Sequence, residues 1–222
     1  RVLFRSFVIP QTMLRGPDPE YMNPAKVEAR LQELAAKYPD LTQLRKVGES
    51  LEKRPIWAIK ISDNPALRET SEPTLLFNGM HHAREVMTTE ITTDLIEYLT
   101  TNYNQKPEVT KWVNDTEIWV IPMFNLDGNN KMWTEDSMWR KNTRNNYGVD
   151  INRNYPQGWN SCNGSSANTS AQDYRGTAPG SSLDCHRHRG PCCHQARPDC
   201  PNDSIFIGGS PVASGGLAPY TY

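Results

Sequence analysis

The chain has 222 residues, 36% of them hydrophobic, which is enough for one sizeable core and does not call for a second one. Lysine and arginine number 24 against 25 aspartates and glutamates. Bulk charge therefore gives no reason to expect nucleic acid or an anionic membrane as a partner. No apolar run approaches the length of a membrane span.

The first half of the chain predicts alternating helices and strands. Apolar residues recur at helical spacing over Pro24–Tyr38, with the proline suited to the first turn of a helix. Short apolar runs predict strands over Pro55–Ser62 and Thr74–Met80. A second helix is predicted over Glu85–Tyr103 and a further strand over Glu117–Phe124. This alternation favours an α/β fold.

Three regions differ in composition. Residues 1–22 are expected to be irregular, and because the first residue is Arg1 we expect a processed or partial product. Residues 23–180 hold the predicted elements, and from Asn125 to Gly180 the sequence is polar and rich in Asn, Gly and Ser. So long an irregular stretch in a compact domain is usually functional. Residues 181–222 form a tail rich in Cys, His and Pro.

Two candidate metal ligands follow the strand predicted over Thr74–Met80, in the string H-H-A-R-E. A hydrolytic zinc site uses histidine nitrogen and carboxylate oxygen ligands and keeps one position open for water. His82 and Glu85 supply two such groups at the sheet edge where open α/β folds bind ligands. The motif alone fits equally a surface histidine beside a glutamate at a helix start, and His81 is a competing ligand.

A second set of candidates lies in the polar stretch. Arg153 can clamp a carboxylate through two parallel hydrogen bonds while Asn152 adds a donor, which suits recognition of a free peptide C-terminus. Arg140 would then be free to face a developing oxyanion. For any one of these loop arginines, a solvated surface charge is the competing interpretation.

Five strings occur in one order, namely H-A-R-E, N-L-D-G, M-W-R-K, G-V-D-I-N-R-N-Y and Y-R-G-T-A-P-G. In this order the sequence resembles the zinc metallocarboxypeptidases of the carboxypeptidase A, B and T type, over about Tyr21 to Gly180. The resemblance implies a mixed β-sheet with helices on both faces. It also implies a secreted, monomeric enzyme that hydrolyses the C-terminal peptide bond of peptides and proteins.

The resemblance also implies roles for individual residues. His82 and Glu85 would be ligands of Zn²⁺, which lowers the pKa of a bound water to about 7 and acts as a Lewis acid. Arg140 would polarise the scissile carbonyl, and the substrate-binding residues implied in the same way are Arg84, Arg140, Asn152 and Arg153. Peptide or protein C-termini are then the expected partners, with neither nucleic acid nor membrane.

Beyond Gly180 the sequence departs from the pattern that the resemblance implies. Ile207 stands where a third ligand histidine is expected, and no glutamate follows Asp184 to act as general base. We therefore expect an incomplete sheet and a chain that, as written, is inactive or nearly so. Two non-hydrolytic or variant functions stay open: a non-catalytic binder of peptide C-termini, and a peptidase of cell-wall peptides.

The tail itself admits three interpretations. Its cysteines and histidines can form a separate metal cluster, although their spacing fits no closed structural zinc pattern. One of its histidines can replace the third ligand of the site. Alternatively the tail is a reading-frame artefact, because a shifted frame over Asp203 to Ile207 permits the string F-H-L-Y, close to the expected ligand motif.

Overall fold

The computed structural model describes residues 17–161 and 163–182. These residues form a sheet with strand order β1-β2-β4-β3, in which the strands are β1 (Thr42–Glu49), β2 (Pro55–Ile61), β3 (Thr74–Asn78) and β4 (Glu117–Ile121). The pairs β1–β2 and β2–β4 are antiparallel, whereas β3 and β4 run parallel. The predicted α/β fold with a mixed sheet is thereby confirmed.

Helices connect the strands and cover the sheet. They are α1 (Pro24–Lys37), α2 (Met87–Asn102), α3 (Pro107–Asn114) and α4 (Leu126–Thr134). Helix α1 begins at Asn23, whose side chain accepts a hydrogen bond from the Lys26 amide and so satisfies one of the free donors at the helix start. An ion pair between Arg30 and Glu97 joins α1 to α2.

One face of the sheet holds a buried ion pair. Lys60 alternates with Ile59 and Ile61 along β2, so its side chain points away from theirs. Its ammonium group lies 2.6 Å from the Glu117 carboxylate and also donates to the carbonyl of Leu67. The loop over residues 62–73 thus covers this face in the described part of the chain, and helices on both faces stay a prediction.

The predicted helices and the three predicted strands are all present, with ends within a few residues of those expected. Sequence patterns missed β1, α3 and α4. The prediction that the polar stretch is irregular is wrong over its first residues, because Leu126–Thr134 form α4. Asn125 caps this helix by accepting a hydrogen bond from the Gly128 amide, a stabilising contact that hydrophobic periodicity does not reveal.

Most of the tail lies outside the described residues, including Ile207 and every histidine after residue 182, so the three interpretations of the tail stay predictions. Residues 17–22 contain no helix or strand. Among the helices that the structure describes, none is long and apolar enough to cross a membrane.

Candidate metal centre

The turn that carries His82 and Glu85 joins the end of β3 to the start of α2. Helix α4 fixes this turn through two buried amides. Asn125 donates to the carbonyl of His81 at 3.0 Å, and Asn129 donates to the carbonyl of Ala83 at 3.0 Å. The two asparagines thus satisfy carbonyls of the turn, and Asn125 of the string N-L-D-G, with Asn129 directly after it, supports the H-A-R-E turn.

His82 and Glu85 face each other as the sequence predicts. Their Nδ1 and Oε1 atoms are 2.9 Å apart, and His82 is 7% exposed. The other ring nitrogen of His82, Nε2, lies 3.0 Å from Oδ1 of Asp150. If the ring proton is on Nε2 and is donated to Asp150, Nδ1 has a lone pair that points at Oε1 of Glu85. Two lone-pair donors this close repel each other unless a cation binds to both, so this tautomer suits a metal ion held by His82 and Glu85.

Asp150 is a member of the site that sequence reasoning missed. It is fully buried, and besides His82 it accepts hydrogen bonds from the Asn152 amide at 2.9 Å and from Nη2 of Arg140 at 2.9 Å. Burial opposes the charged carboxylate, but the hydrogen bond and charge of His82, followed by those of Arg140, outweigh burial and lower the pKa of Asp150. One sequence signal could have found it: Asp150 is a carboxylate two residues before the candidate Asn152, and a carboxylate commonly orients a metal-binding histidine.

Arg140 lies against both carboxylates of the site. Its Nη2 bonds Asp150 and its Nη1 lies 3.5 Å from Oε1 of Glu85, with 15% of the side chain exposed. The guanidinium is therefore held beside His82 and Glu85, the candidate metal pair. From there it can still present donors to a polarised oxygen bound at the metal.

Asn152 and Arg153 lie on a 3-10 turn, Ile151–Arg153, directly after Asp150. The Asn152 side chain is exposed. Arg153 donates through Nη1 to the carbonyl of Asn152, and its buried Nε has no partner within the described residues. Arg84 lies on the other side of the site and donates to the carbonyl of Met138 at 3.0 Å. The six predicted site residues thus lie on three segments. These are the turn that carries His82, Arg84 and Glu85, the segment around Arg140, and the turn that carries Asn152 and Arg153.

His81 points away from the metal pair. Its Nε2 lies 2.6 Å from the hydroxyl of Tyr155, and its ring stacks on Phe124 with centroids 5.3 Å apart. Burial, together with the neighbouring His82, lowers the pKa of His81 to about 4, so the ring is uncharged at neutral pH. The competing ligand is therefore engaged elsewhere.

The donor set suits zinc, since an imidazole nitrogen and a carboxylate oxygen are two of the ligand types that catalytic zinc sites use. Within residues 17–161 and 163–182, no third His, Cys, Asp or Glu joins His82 and Glu85 to complete a metal-binding group. The described part of the chain therefore offers two candidate ligands at this place, where a catalytic zinc site uses three protein ligands.

Three known proteins are similar to this chain in sequence or in fold. Carboxypeptidase D of Homo sapiens is 38% identical over 130 residues, which cover 59% of this chain and 9% of that protein. The zinc carboxypeptidase of Saccharothrix mutabilis subsp. capreolus is 38% identical over 147 residues, or 64% of this chain and 34% of that protein. The crystal structure of carboxypeptidase A from Helicoverpa armigera superposes with a TM-score of 0.66 at 27% identity, over 74% of this chain and 40% of that one.

The chain spans only about a tenth to a third of the length of these two curated relatives. The zinc carboxypeptidase family, which is zinc-dependent, matches residues 27–190, and this match includes every residue of the candidate centre. On the order of its motifs, the mixed sheet and the family match, the chain belongs to the zinc carboxypeptidase family.

Proposed function

We propose that this chain carries the metal-binding and carboxylate-recognising part of a metallocarboxypeptidase that hydrolyses the C-terminal peptide bond of peptides and proteins. The observation that carries the proposal is the contact between His82 Nδ1 and Glu85 Oε1, two possible metal-ligand atoms 2.9 Å apart. The buried Asp150 holds the far nitrogen of the same imidazole. A histidine bonded in this way is the arrangement that orients metal ligands in many enzymes.

When bound, zinc supplies a Lewis acid and an activated water. The residues of this chain supply binding and orientation. Arg153 is partly exposed and its planar fork matches a carboxylate, so it holds the free C-terminus of the peptide, with the exposed Asn152 beside it. Arg140, held by Asp150, directs its remaining donors towards the oxygen that becomes negative during hydrolysis.

Turnover needs a third protein ligand and a general base. Neither stands beside His82 and Glu85 among the described residues, and the sequence has no glutamate after Asp184. We therefore propose that the 222-residue chain binds zinc and peptide C-termini but releases C-terminal residues slowly or not at all.

The experiment measures three quantities on the full 222-residue chain. These are zinc affinity by calorimetric titration, affinity for an N-acetylated peptide with a free C-terminal carboxylate against its amide, and release of the C-terminal amino acid by mass spectrometry. We expect His82→Ala to reduce zinc binding to the background set by the Cys- and His-rich tail, and Arg153→Ala to remove the preference for the acid peptide. Zinc binding that His82→Ala leaves intact would refute the metal assignment.

A non-catalytic binder of peptide C-termini is the second candidate. The partly exposed guanidinium of Arg153 favours it, because this group needs no metal in order to bond a carboxylate. The same titration separates the two functions. A binder keeps its preference for the acid peptide after chelation of zinc, whereas in a carboxypeptidase the metal contributes to peptide affinity and chelation weakens it.

A further inference from the structure

Two consecutive histidines face the two ends of one turn. His82 bonds Asp150, the residue that precedes the turn Ile151–Arg153, with Nε2 and Oδ1 3.0 Å apart. His81 bonds Tyr155, which lies two residues after the same turn, with Nε2 and the hydroxyl oxygen 2.6 Å apart. The turn is therefore tied at both ends to the segment that carries the metal pair.

The His81 ring is a rigid anchor for this second bond. It stacks on Phe124 with an interplanar angle of 21° and centroids 5.3 Å apart, and Phe124 is 1% exposed. Asn125 holds the carbonyl of His81. Neither the ring nor the backbone of His81 can shift without disturbing the core, so the position of the Tyr155 hydroxyl is fixed by its bond to this ring.

The side chains that the turn displays have little other support. Asn152 is exposed, and the hydrogen bond of the Arg153 guanidinium goes to the carbonyl of Asn152, which moves with the turn. The direction in which these two side chains point therefore depends on where the backbone ends of the turn are held. Displacement of about 1 Å in a positioning group is enough to cost much of its contribution to recognition.

We propose that His81 and Tyr155 are positioning residues, which hold the Asn152–Arg153 turn at a fixed place relative to the metal pair and so set selectivity for a free C-terminal carboxylate. The selectivity part of this inference rests on the proposed function. The positioning part rests on the two bonds and the ring stack alone.

The test compares two variants of the full chain that each lose one tyrosine hydroxyl. Tyr155→Phe removes the bond to His81, and Tyr103→Phe removes a remote bond of 2.9 Å to Asn114 and serves as the control. With zinc present, we expect Tyr155→Phe to bind an N-acetylated acid peptide about three- to tenfold more weakly, the effect of one lost hydrogen bond, with affinity for the amide peptide unchanged. Zinc affinity should stay at the wild-type value in both variants, because His82 keeps its bond to Asp150.

Two further measurements separate positioning from general destabilisation. Backbone amide exchange at Asn152 and Arg153 should be faster in Tyr155→Phe but not in the control. His81→Phe keeps a ring to stack on Phe124, and combining it with Tyr155→Phe should add no further loss of acid-peptide affinity, as expected for two ends of one bond.

Unchanged exchange at the turn, or an equal loss of acid-peptide and amide-peptide affinity in Tyr155→Phe, would overturn the inference. If the wild-type chain itself binds the acid and amide peptides equally, the proposed function and the selectivity part both fail. Amide exchange still decides the positioning part in that case, because it requires no peptide.

Discussion

Replacing Asp150 by asparagine tests the metal centre at its most connected residue. The carboxylate accepts hydrogen bonds from His82, Arg140 and the Asn152 amide. An asparagine has the same shape but one acceptor oxygen, and its NH₂ group then faces a donor, either on the His82 ring or on the Arg140 guanidinium. If the NH₂ donates to Nε2 of His82, the ring adopts the other tautomer, with its proton on Nδ1. Nδ1, the atom that faces Glu85, then has no lone pair for a metal ion.

The size of the effect follows from these contacts. Loss of a carboxylate that orients a metal-binding histidine typically costs 10- to 100-fold in metal affinity, or about 1.4–2.7 kcal/mol. The protein also loses stability, because Arg140 is left beside a neutral partner in a mostly buried position. Removal of one member of a buried charged pair costs about 3–5 kcal/mol, and we expect the lower end because Arg140 keeps 15% exposure and a contact to Glu85.

Calorimetric titration with zinc and urea unfolding measure the two quantities. Because the Cys- and His-rich tail can itself bind zinc, the His82→Ala variant defines the background that is subtracted. The matched control is Asp115→Asn, which removes a carboxylate whose side chain is 54% exposed and which pairs with Lys111 at the surface. This control should leave zinc affinity unchanged and stability within about 0.5 kcal/mol.

One result would refute this reasoning. If Asp150→Asn binds zinc as tightly as the wild type after subtraction of the His82→Ala background, then Asp150 does not orient the ligand. The 3.0 Å contact would then have no part in metal binding.

Two further outcomes concern the scaffold. Gly128→Ala should lower the free energy of unfolding in urea by about 1–3 kcal/mol, because its Cβ would lie 2.4 Å from the carbonyl oxygen of Lys141, which is backbone. Glu117→Gln should cost about 3–5 kcal/mol at pH 7 by leaving buried Lys60 unpaired. Burial opposes ionisation of Glu117 but Lys60 outweighs it, so the folded pKa is below the ordinary 4.5. The contribution is therefore present above pH 4.5 and is lost as the pH falls below it.

Each of these outcomes has its own control. Gly164→Ala meets only an atom at 3.9 Å and should be neutral within about 0.5 kcal/mol; a loss as large as that of Gly128→Ala would contradict the steric argument. For the ion pair, the stability difference between wild type and Glu117→Gln should shrink in unfolding curves taken below pH 4.5. A difference that stays constant down to pH 2 would show that the charge on Glu117 is not its source.

Local periodicity predicted α1 and α2 but misjudged part of the buried face of α2. Ile91, an apolar residue expected to be buried, is 62% exposed, whereas Thr89 and Thr93 are buried. Thr89 is satisfied there by donating to the carbonyl of Pro122, a contact between segments that no window of sequence contains. Strand β1 was missed for a related reason, since as an edge strand it exposes Arg45 and Lys46 and lacks a clear apolar alternation.

The candidate site shows the same division between local and distant information. His82 and Glu85 are three residues apart, so a motif can show them together. Asp150 lies 68 residues from His82, and its part in the site depends on complete burial against the imidazole and Arg140. The sequence alone showed that Arg140 and Arg153 both lie in the polar stretch. It could not show that Arg140 contacts two carboxylates whereas the Nε of Arg153 has no partner among the described residues.

The contacts around His82 also fix the sign of the charge at the centre. With His82 in the uncharged form that binds metals, the carboxylates of Glu85 and Asp150 and the guanidinium of Arg140 sum to one negative charge. A cluster of that sign attracts a divalent cation, and binding of the cation leaves one positive charge. The carboxylate end of a peptide is left to Asn152 and Arg153, on the turn directly after Asp150, so the cation and the peptide carboxylate are drawn to separate parts of the site.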